Sequence, residues 1–204
     1  MKRDITRTSL IKEIGSNFPE GKGVEIGTFK GEFSNEIMKN WNGTLYMVDV
    51  WNAIEEGYND ASNHGRFDID IYGEAIKNIK GYEDRAIMIR AKSEIASNLF
   101  QDESLDFVYI DANHAYDYVV QDIELWYPKV KPGGFVMGHD YIDLDWYGDP
   151  NFDKNKKDKH IWSGDVYHGV FGVNPAVDEF CERNEYKRSL TTEWFGTWYF
   201  QKRS

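Results

Sequence analysis

Cysteine and long apolar runs are scarce in this chain. Cys181 is its one cysteine among 204 residues, so an intrachain disulfide is impossible and a reducing compartment such as the cytoplasm is expected. No stretch of about 18 apolar residues occurs, and the first residues lack the apolar segment of a signal peptide, so no association with a membrane is expected. These absences favour a cytoplasmic globular protein.

Positive charge is also in short supply. The sequence has 24 Lys and Arg residues against 35 Asp and Glu residues, a formal net charge of −11. An acidic surface repels phosphate backbones, so nucleic acid is not expected as a substrate. The one basic cluster, residues 154–159, is interpreted as a solvated loop. A small molecule is the expected partner, and the oligomeric state stays open, with a homo-oligomer among the alternatives.

Short apolar runs alternate with segments of helical periodicity along most of the chain. Strands are predicted at 24–26, 44–50, 86–89, 106–111 and 135–138, and helices at 4–18, 33–41, 71–79, 94–100 and 119–126. This alternation predicts βαβ units and a parallel sheet with helices on both faces, an α/β fold of the Rossmann-like, doubly wound type. The length suits a single domain spanning 1–204.

The last third of the chain departs from this alternation. A helix at 175–183 precedes two strand-like runs, 187–194 and 197–201, joined by a predicted hairpin turn, so one edge of the mostly parallel sheet should be antiparallel. The stretch at about 142–170 has no clean period, and loops of this length are usually functional. Because it follows the fifth strand, we expect a lid-like insertion over the carboxyl end of the sheet.

A glycine motif lies between the first strand and the next helix. Glu25, Gly27 and Gly31 form the pattern E-x-G-x-x-x-G. Gly27 permits a tight turn and close approach of a ligand, and Gly31 lets the helix begin near the sheet. Asp49 ends the second strand, where a carboxylate can accept both ribose hydroxyls of an adenosine ligand. The alternative is that these are turn glycines and a strand-end cap.

The E-x-G-x-x-x-G pattern resembles the first motif of class I S-adenosylmethionine (SAM) methyltransferases. A more specific block, LDFVYIDANHAY at Leu105–Tyr116, is similar to the IDGDHSY segment of methyltransferase domain family 24, with Ala112-Asn113 in place of Gly-Asp. KPGG at Lys131–Gly134 and GHDY at Gly138–Tyr141 continue that pattern. The resemblance covers nearly the whole chain and implies SAM as the cofactor and a sheet order of 3-2-1-4-5-7-6, with strand 7 antiparallel.

The resemblance also implies a set of cofactor contacts at the strand ends. The methionine end of SAM would lie against Glu25, Gly27, Thr28 and Gly31. Asp49 would hold the ribose and Ser93 would lie near the adenine. Asp111 would border both the cofactor and the acceptor.

Three polar residues are expected to meet where the fourth and fifth strands end. Asp111 ends strand 4, and His139-Asp140 follow strand 5. Adjacent strands lie about 4.8 Å apart, so the carboxylates repel unless a proton or a cation intervenes. Oxygen ligands suit Mg²⁺, and a histidine moves the preference toward Mn²⁺. The alternative is that Asp111 orients substrate directly and His139-Asp140 form a structural pair.

His114 is a second candidate for acid–base chemistry. Methyl transfer to a hydroxyl requires removal of its proton, which a histidine that titrates near neutrality can perform. The alternative is a cap for the next helix. The favoured function is O-methylation of a small molecule such as a sugar or natural product. A nicotinamide-dependent oxidoreductase is disfavoured because Glu25 replaces the first glycine of the dinucleotide motif. A non-catalytic SAM-binding protein is the other alternative.

Overall fold

The computed structural model describes residues 5–51, 70–141, 172–193 and 195–203. The strands are β1 Lys22–Ile26, β2 Thr44–Asp49, β3 Ala86–Arg90, β4 Leu105–Ile110, β5 Val130–Tyr141, β6 Ser189–Leu190 and β7 Gly196–Gln201. The helices are α1 Arg7–Asn17, α2 Glu32–Asn40, α3 Ile71–Asn78, α4 Ser93–Ala96, α5 Tyr116–Trp126 and α6 Val173–Arg183. Short 3₁₀ turns follow α4 and α5. Within these ranges no helix is long and apolar enough to cross a bilayer.

The described strands form one mixed sheet in the order β3-β2-β1-β4-β5-β7-β6. β3, β2, β1, β4 and β5 are parallel to one another, whereas β7 is antiparallel to both β5 and β6. The predicted order and the antiparallel edge are therefore confirmed, and the fold is Rossmann-like.

Strand register brings the carboxyl ends of the central strands to one level. Ile26 at the end of β1 pairs with Val48 of β2 and with Ile110 of β4. Ile110 in turn pairs with Gly138 of β5. The residues that follow these four therefore form a single row along one edge of the sheet, which is where open α/β sheets bind ligands.

Two apolar clusters cover the two faces of the sheet. Alternate residues of β4 contribute to opposite clusters, Val108 to one and Phe107 to the other. Ile123 of α5 belongs to the first cluster, and Ile37 of α2 belongs to the second. Because all six residues of β4 are buried, its sequence is a near-continuous apolar run, as expected for a central parallel strand.

Several element boundaries differ from the predicted ones, and three of these differences have a structural cause. α1 begins at Arg7 rather than residue 4, because Thr6 and Ser9 form a reciprocal capping box. β5 extends through the predicted turn at 131–134, where Gly133 and Gly134 exchange backbone hydrogen bonds with Lys202. β6 is much shorter than the predicted run 187–194, because the residues after Leu190 turn toward the start of α1. The insertion predicted at about 142–170 lies outside the described residues.

Gly27 lies where the ends of three strands converge. Its backbone φ is +84°, and its N–H donates to the Val48 carbonyl at 2.8 Å. A Cβ atom at this position would be only 2.1 Å from the Asp111 carbonyl oxygen. The sequence predicted that Gly27 allows a ligand to come close to the backbone. The structure shows that it also lets the Gly27 and Asp111 backbones come close together, and only glycine fits there.

We predict that Gly27→Ala destabilises the fold more than Gly81→Ala. Gly81 also has positive φ, +94°, but nothing lies within 4 Å of its Cβ position. Gly81→Ala should lower the free energy of unfolding by about 1–2 kcal/mol through backbone strain. Gly27→Ala should lower it by roughly 1–3 kcal/mol more, because overpacking adds to the same strain. Urea denaturation provides the comparison, and equal losses would contradict the steric argument.

Candidate active site at the strand ends

Glu25 is a buried carboxylate beneath the glycine loop. Its side chain is 1% exposed and accepts a hydrogen bond from the Ser34 hydroxyl of α2. Burial raises the pKa of Glu25 to about 8, the Ser34 hydrogen bond opposes this rise, and the charges of Asp111 and Asp49 add to it. The pKa of Glu25 therefore lies near neutral pH, and a ligand cation would favour the charged form.

Thr28 has a buried hydroxyl with an unmet hydrogen-bonding capacity. The residue is 4% exposed, and Oγ1 has no hydrogen-bond partner among the described residues. Leaving such a group unpaired costs about 1–3 kcal/mol. Thr28 directly follows Gly27 at the crevice, so a polar ligand group at this position would remove that cost. This observation fits the predicted contact with the methionine end of SAM.

Asp49 links the loops that follow β1 and β2 through hydrogen bonds. Its carboxylate oxygens accept the N–H groups of Phe29 at 2.8 Å and Trp51 at 2.7 Å. Both partners have positive φ, +47° and +39°, and the Trp51 indole donates to the Phe29 carbonyl at 2.8 Å. Burial raises the pKa of Asp49, against the effect of these hydrogen bonds. The carboxylate therefore lies at the crevice with its orientation fixed. The sequence analysis did not identify Trp51.

Ser93 is engaged by the protein itself. Its hydroxyl donates to Asp122 of α5 and accepts from the Trp126 indole at 2.8 Å. Burial raises the pKa of Asp122 to about 7, against the hydrogen bond from Ser93. These bonds fix the start of α4 against α5. The contact of Ser93 with adenine stays a prediction, and the hydroxyl already has two protein partners.

Asp111, His139 and Asp140 meet as predicted. Each offers one possible ligand atom, and these atoms lie within 4.8 Å of one another. His139 Nδ1 is 3.0 Å from Asp140 Oδ1 and 3.7 Å from Asp111 Oδ2. The donor set of two carboxylates and one imidazole suits a divalent cation of the Mg²⁺ or Mn²⁺ type.

His114 lies on the other side of the same carboxylates. Its Nε2 is 3.0 Å from Asp140 Oδ2 and 3.4 Å from Asp111 Oδ1. The N-cap residue of α5 is Ala115 rather than His114. Two imidazoles and two carboxylates therefore alternate around the candidate site.

A bulge in β5 explains how two consecutive residues reach one site. Neighbouring side chains of a regular strand point to opposite faces of the sheet. Asp140 has a left-handed backbone, φ +56°, and the pairing of β5 with β7 shifts between Gly138 and Tyr141. A bulge can turn a side chain to the opposite face. His139 therefore lies close to Asp111, and Asp140 lies close to His139 and His114. No signal in the sequence identified this bulge.

The charge of the cluster affects His139 directly. Burial alone would lower the pKa of His139, but its hydrogen bond to Asp140 and the charges of Asp111 and Asp140 outweigh burial, so the pKa is raised. In the metal-free protein a proton on this imidazole would offset the repulsion between the carboxylates.

A second group of side chains fixes the exit of β5. The Tyr141 hydroxyl donates to both carboxylate oxygens of Asp178 at 2.9 and 2.8 Å. Arg188 contacts both residues, with its guanidinium 4.3 Å from the Tyr141 ring centroid. Gly172 donates to the His114 carbonyl at 2.9 Å. Residues on both sides of the undescribed segment are thus anchored beside the candidate site.

Comparison with known proteins gives a family match and a set of similar folds. A family model described as a methyltransferase domain matches residues 24–141. An uncharacterized protein of Acanthamoeba polyphaga mimivirus is 32% identical over 125 residues, covering 60% of this chain and 52% of that protein. An uncharacterized protein of Sinorhizobium fredii is 27% identical over 122 residues, covering 57% of this chain and 13% of that protein. The chain thus spans about half or less of the length of these curated relatives.

Solved structures with similar folds include two O-methyltransferases by name. A Staphylococcus aureus protein proposed to be a caffeoyl-CoA O-methyltransferase has a TM-score of 0.65 at 17% identity, covering 97% of this chain and 84% of that one. The O-methyltransferase TomG of Streptomyces achromogenes, involved in tomaymycin synthesis and solved with SAM, has a TM-score of 0.62 at 14% identity, covering 97% and 80%. At these identities the likeness concerns the fold.

We predict that Glu25→Gln changes the pH dependence of stability. The folded pKa is about 8, against 4.5 for an ordinary Glu, so between these values the folded state holds a proton that the unfolded state has lost. The free energy of unfolding of the native protein therefore falls as pH rises through this window. Glutamine cannot ionise, so the variant should gain stability relative to the native protein, on the order of 1–3 kcal/mol by the upper end of the window.

Urea denaturation at several pH values, without cofactor, measures this difference. Glu32→Gln, which removes an exposed carboxylate in the first turn of α2, is the matched control and should show no such growth. A constant difference between Glu25→Gln and the native protein across the window would contradict the predicted pKa.

Proposed function

Because the chain belongs to the methyltransferase domain family, we propose that it transfers the methyl group of SAM to a hydroxyl oxygen of a small molecule. The observation that carries this proposal is the cluster of Asp111, His114, His139 and Asp140 beside the Gly27 loop. The cluster combines a candidate base with carboxylates that can orient an acceptor, at the row of strand ends where this fold binds ligands.

The cofactor would lie along the ends of β1 and β2. Asp49 has its carboxylate oriented by two backbone N–H groups and would accept the ribose hydroxyls. Thr28 would use its unpaired hydroxyl at the methionine end, and Glu25 would favour the methionine ammonium through its negative charge. SAM supplies an activated methyl group on a sulfonium centre.

Oxygen is the favoured acceptor atom because the site contains a candidate base, and a hydroxyl must lose its proton when it is methylated. As the acceptor oxygen bonds to the methyl carbon, the carbon–sulfur bond breaks and the hydroxyl proton passes to a base. His114 is the proposed base. If its Nε2 holds a proton toward Asp111 and Asp140, then Nδ1 is the basic nitrogen, and the carboxylates stabilise the imidazolium that forms.

Asp111, His139 and Asp140 would hold a divalent cation on the acceptor side. A bound Mg²⁺ or Mn²⁺ would neutralise the two carboxylates and lower the pKa of the acceptor hydroxyl. Whether or not it is present, Asp111 and Asp140 orient His114. A sugar or another natural product with adjacent hydroxyls fits such a site, and TomG is a precedent for natural-product chemistry on this fold.

We predict that Asp49→Asn weakens binding of S-adenosylhomocysteine by roughly 1.5–3 kcal/mol, because hydrogen bonds to a charged acceptor are lost. Asparagine keeps one oxygen for the Phe29 or Trp51 N–H, so the fold should survive. Calorimetry on the native protein and on Asp102→Asn, an exposed residue paired with Lys129, gives the reference affinity. Tight binding of NAD with none of SAM would contradict the proposed cofactor.

We predict that Asp111→Asn and Asp140→Asn abolish Mn²⁺ binding and methyl transfer but leave S-adenosylhomocysteine affinity largely intact. Asparagine tolerates the left-handed backbone at position 140, so a loss there reports on charge rather than on strain. Mn²⁺ binding is measured calorimetrically, and transfer to a panel of polyhydroxylated acceptors is measured with and without chelator, with Asp102→Asn as the control.

Activity should vanish in excess chelator and return with Mg²⁺ or Mn²⁺. Full activity in chelator would contradict a role for metal, and His114 or Asp111 would then be the base of a metal-free reaction.

A further inference from the structure

The start of α1 forms a wall beside the candidate site. The Ile5 carbonyl accepts the Thr192 N–H at 2.8 Å. The Arg7 N–H donates to Glu193 Oε2 at 2.9 Å. These two bonds dock the first turn of the helix on the connection between β6 and β7.

That connection also reaches the candidate metal ligands. Phe195, 37% exposed, has its ring centroid 6.4 Å from that of His139. The first turn of α1, the β6–β7 connection and the end of β5 are therefore neighbours on the acceptor side of the site.

The Arg7 guanidinium lies on this wall, and no acidic side chain of the described ranges forms an ion pair with it. Its carbon is 4.6 Å from the centroid of the Phe33 ring, and Phe33 packs on Tyr109 with ring centroids 4.4 Å apart. Among the described residues the guanidinium makes no hydrogen bond or ion pair, and the Glu193 carboxylate accepts the backbone N–H of Arg7. Arg7 is partly buried, so its charge is only partly solvated.

The positive charge of Arg7 acts electrostatically on the crevice. Burial has the largest effect on the pKa of Glu25 and raises it, whereas the positive charge of Arg7 lowers it. Arg7 is thus within electrostatic range of the glycine loop, and the contacts of the first turn of α1 with the β6–β7 connection place it beside the candidate metal ligands.

The charge balance of the site makes such a cation useful. Asp111 and Asp140 give the acceptor side a negative potential, which repels an anionic ligand. A partly desolvated guanidinium gains when an oxyanion pairs with it, and its planar fork matches a carboxylate. The methionine carboxylate of SAM would have a different donor near the glycine loop, the Thr28 hydroxyl, which has no hydrogen-bond partner among the described residues.

We propose that Arg7 binds a carboxylate of the acceptor, so that the substrate class is hydroxylated carboxylic acids. The acceptor would lie between Arg7, which holds its acid group, and the cluster at Asp111, which receives its hydroxyl. Arg7 is then a specificity-determining residue. This inference rests on the proposed function, because it assigns the acceptor of the same site.

The experiment measures binding of matched acid and amide probes at saturating S-adenosylhomocysteine. The pairs are dihydroxybenzoate with its amide and glucuronate with glucuronamide, in native protein, Arg7→Gln and Arg7→Lys. At least one acid should bind the native protein about tenfold or more tightly than its amide, as expected for a hydrogen bond between charged groups. Arg7→Gln should abolish this preference, and Arg7→Lys should retain part of it.

Arg183→Gln is the matched control, because Arg183 also lies over a phenylalanine, 5.5 Å from the Phe180 ring, and its partner is Glu124 of α5. It should leave the acid preference unchanged. Unchanged S-adenosylhomocysteine affinity in Arg7→Gln shows that the variant is folded and that the cofactor carboxylate is held elsewhere.

Two results would overturn the inference. One is the absence of any acid preference in the native protein, and the other is a preference that persists in Arg7→Gln. A tenfold loss of S-adenosylhomocysteine binding in Arg7→Gln would assign Arg7 to the cofactor instead. Failure of S-adenosylhomocysteine to bind the native protein is a different outcome, since it would contradict the proposed function itself.

Discussion

The contact between the ends of β1 and β4 determines where every other group of the site can lie. Gly27 turns within van der Waals reach of the Asp111 backbone, and Asp111 donates its N–H to the Ile26 carbonyl at 2.8 Å. Because the two strands end at one level, the loop that would receive the cofactor and the carboxylate that would face the acceptor are fixed to each other by backbone. Any side chain on Gly27 would separate them.

Electrostatics adds a second constraint on that geometry. Glu25, Asp49 and Asp111 converge on one crevice, and burial raises the pKa of the first two. Hydrogen-bond donors and the imidazoles of His114 and His139 offset this accumulation of negative charge. A site of this kind favours cationic ligands, which suits the proposed sulfonium cofactor and divalent metal, and an anionic acceptor would need a cationic group such as the Arg7 guanidinium beside it.

Residues that act through regular strands could be predicted from the sequence, whereas residues that depend on local irregularity or distant contacts could not. The meeting of Asp111 with the end of β5 follows from strand order alone. The bulge at Asp140 does not, because aspartate adopts positive φ only in some contexts and the sequence shows no break there. Trp51 and Arg7 were missed because their partners, Phe29 and Glu193, are fixed by tertiary structure rather than by spacing.

The docking of α1 on the β6–β7 connection has a consequence for how the site is assembled in time. The Arg7 and Glu193 positions are 186 apart along the chain, so this contact closes a long loop and is expected to form slowly. During synthesis the glycine loop and Asp49 can pack once the first strands have emerged. The contact of α1 with the β6–β7 connection forms only after that hairpin has been made, so the two sides of the candidate site are expected to assemble at different stages of folding.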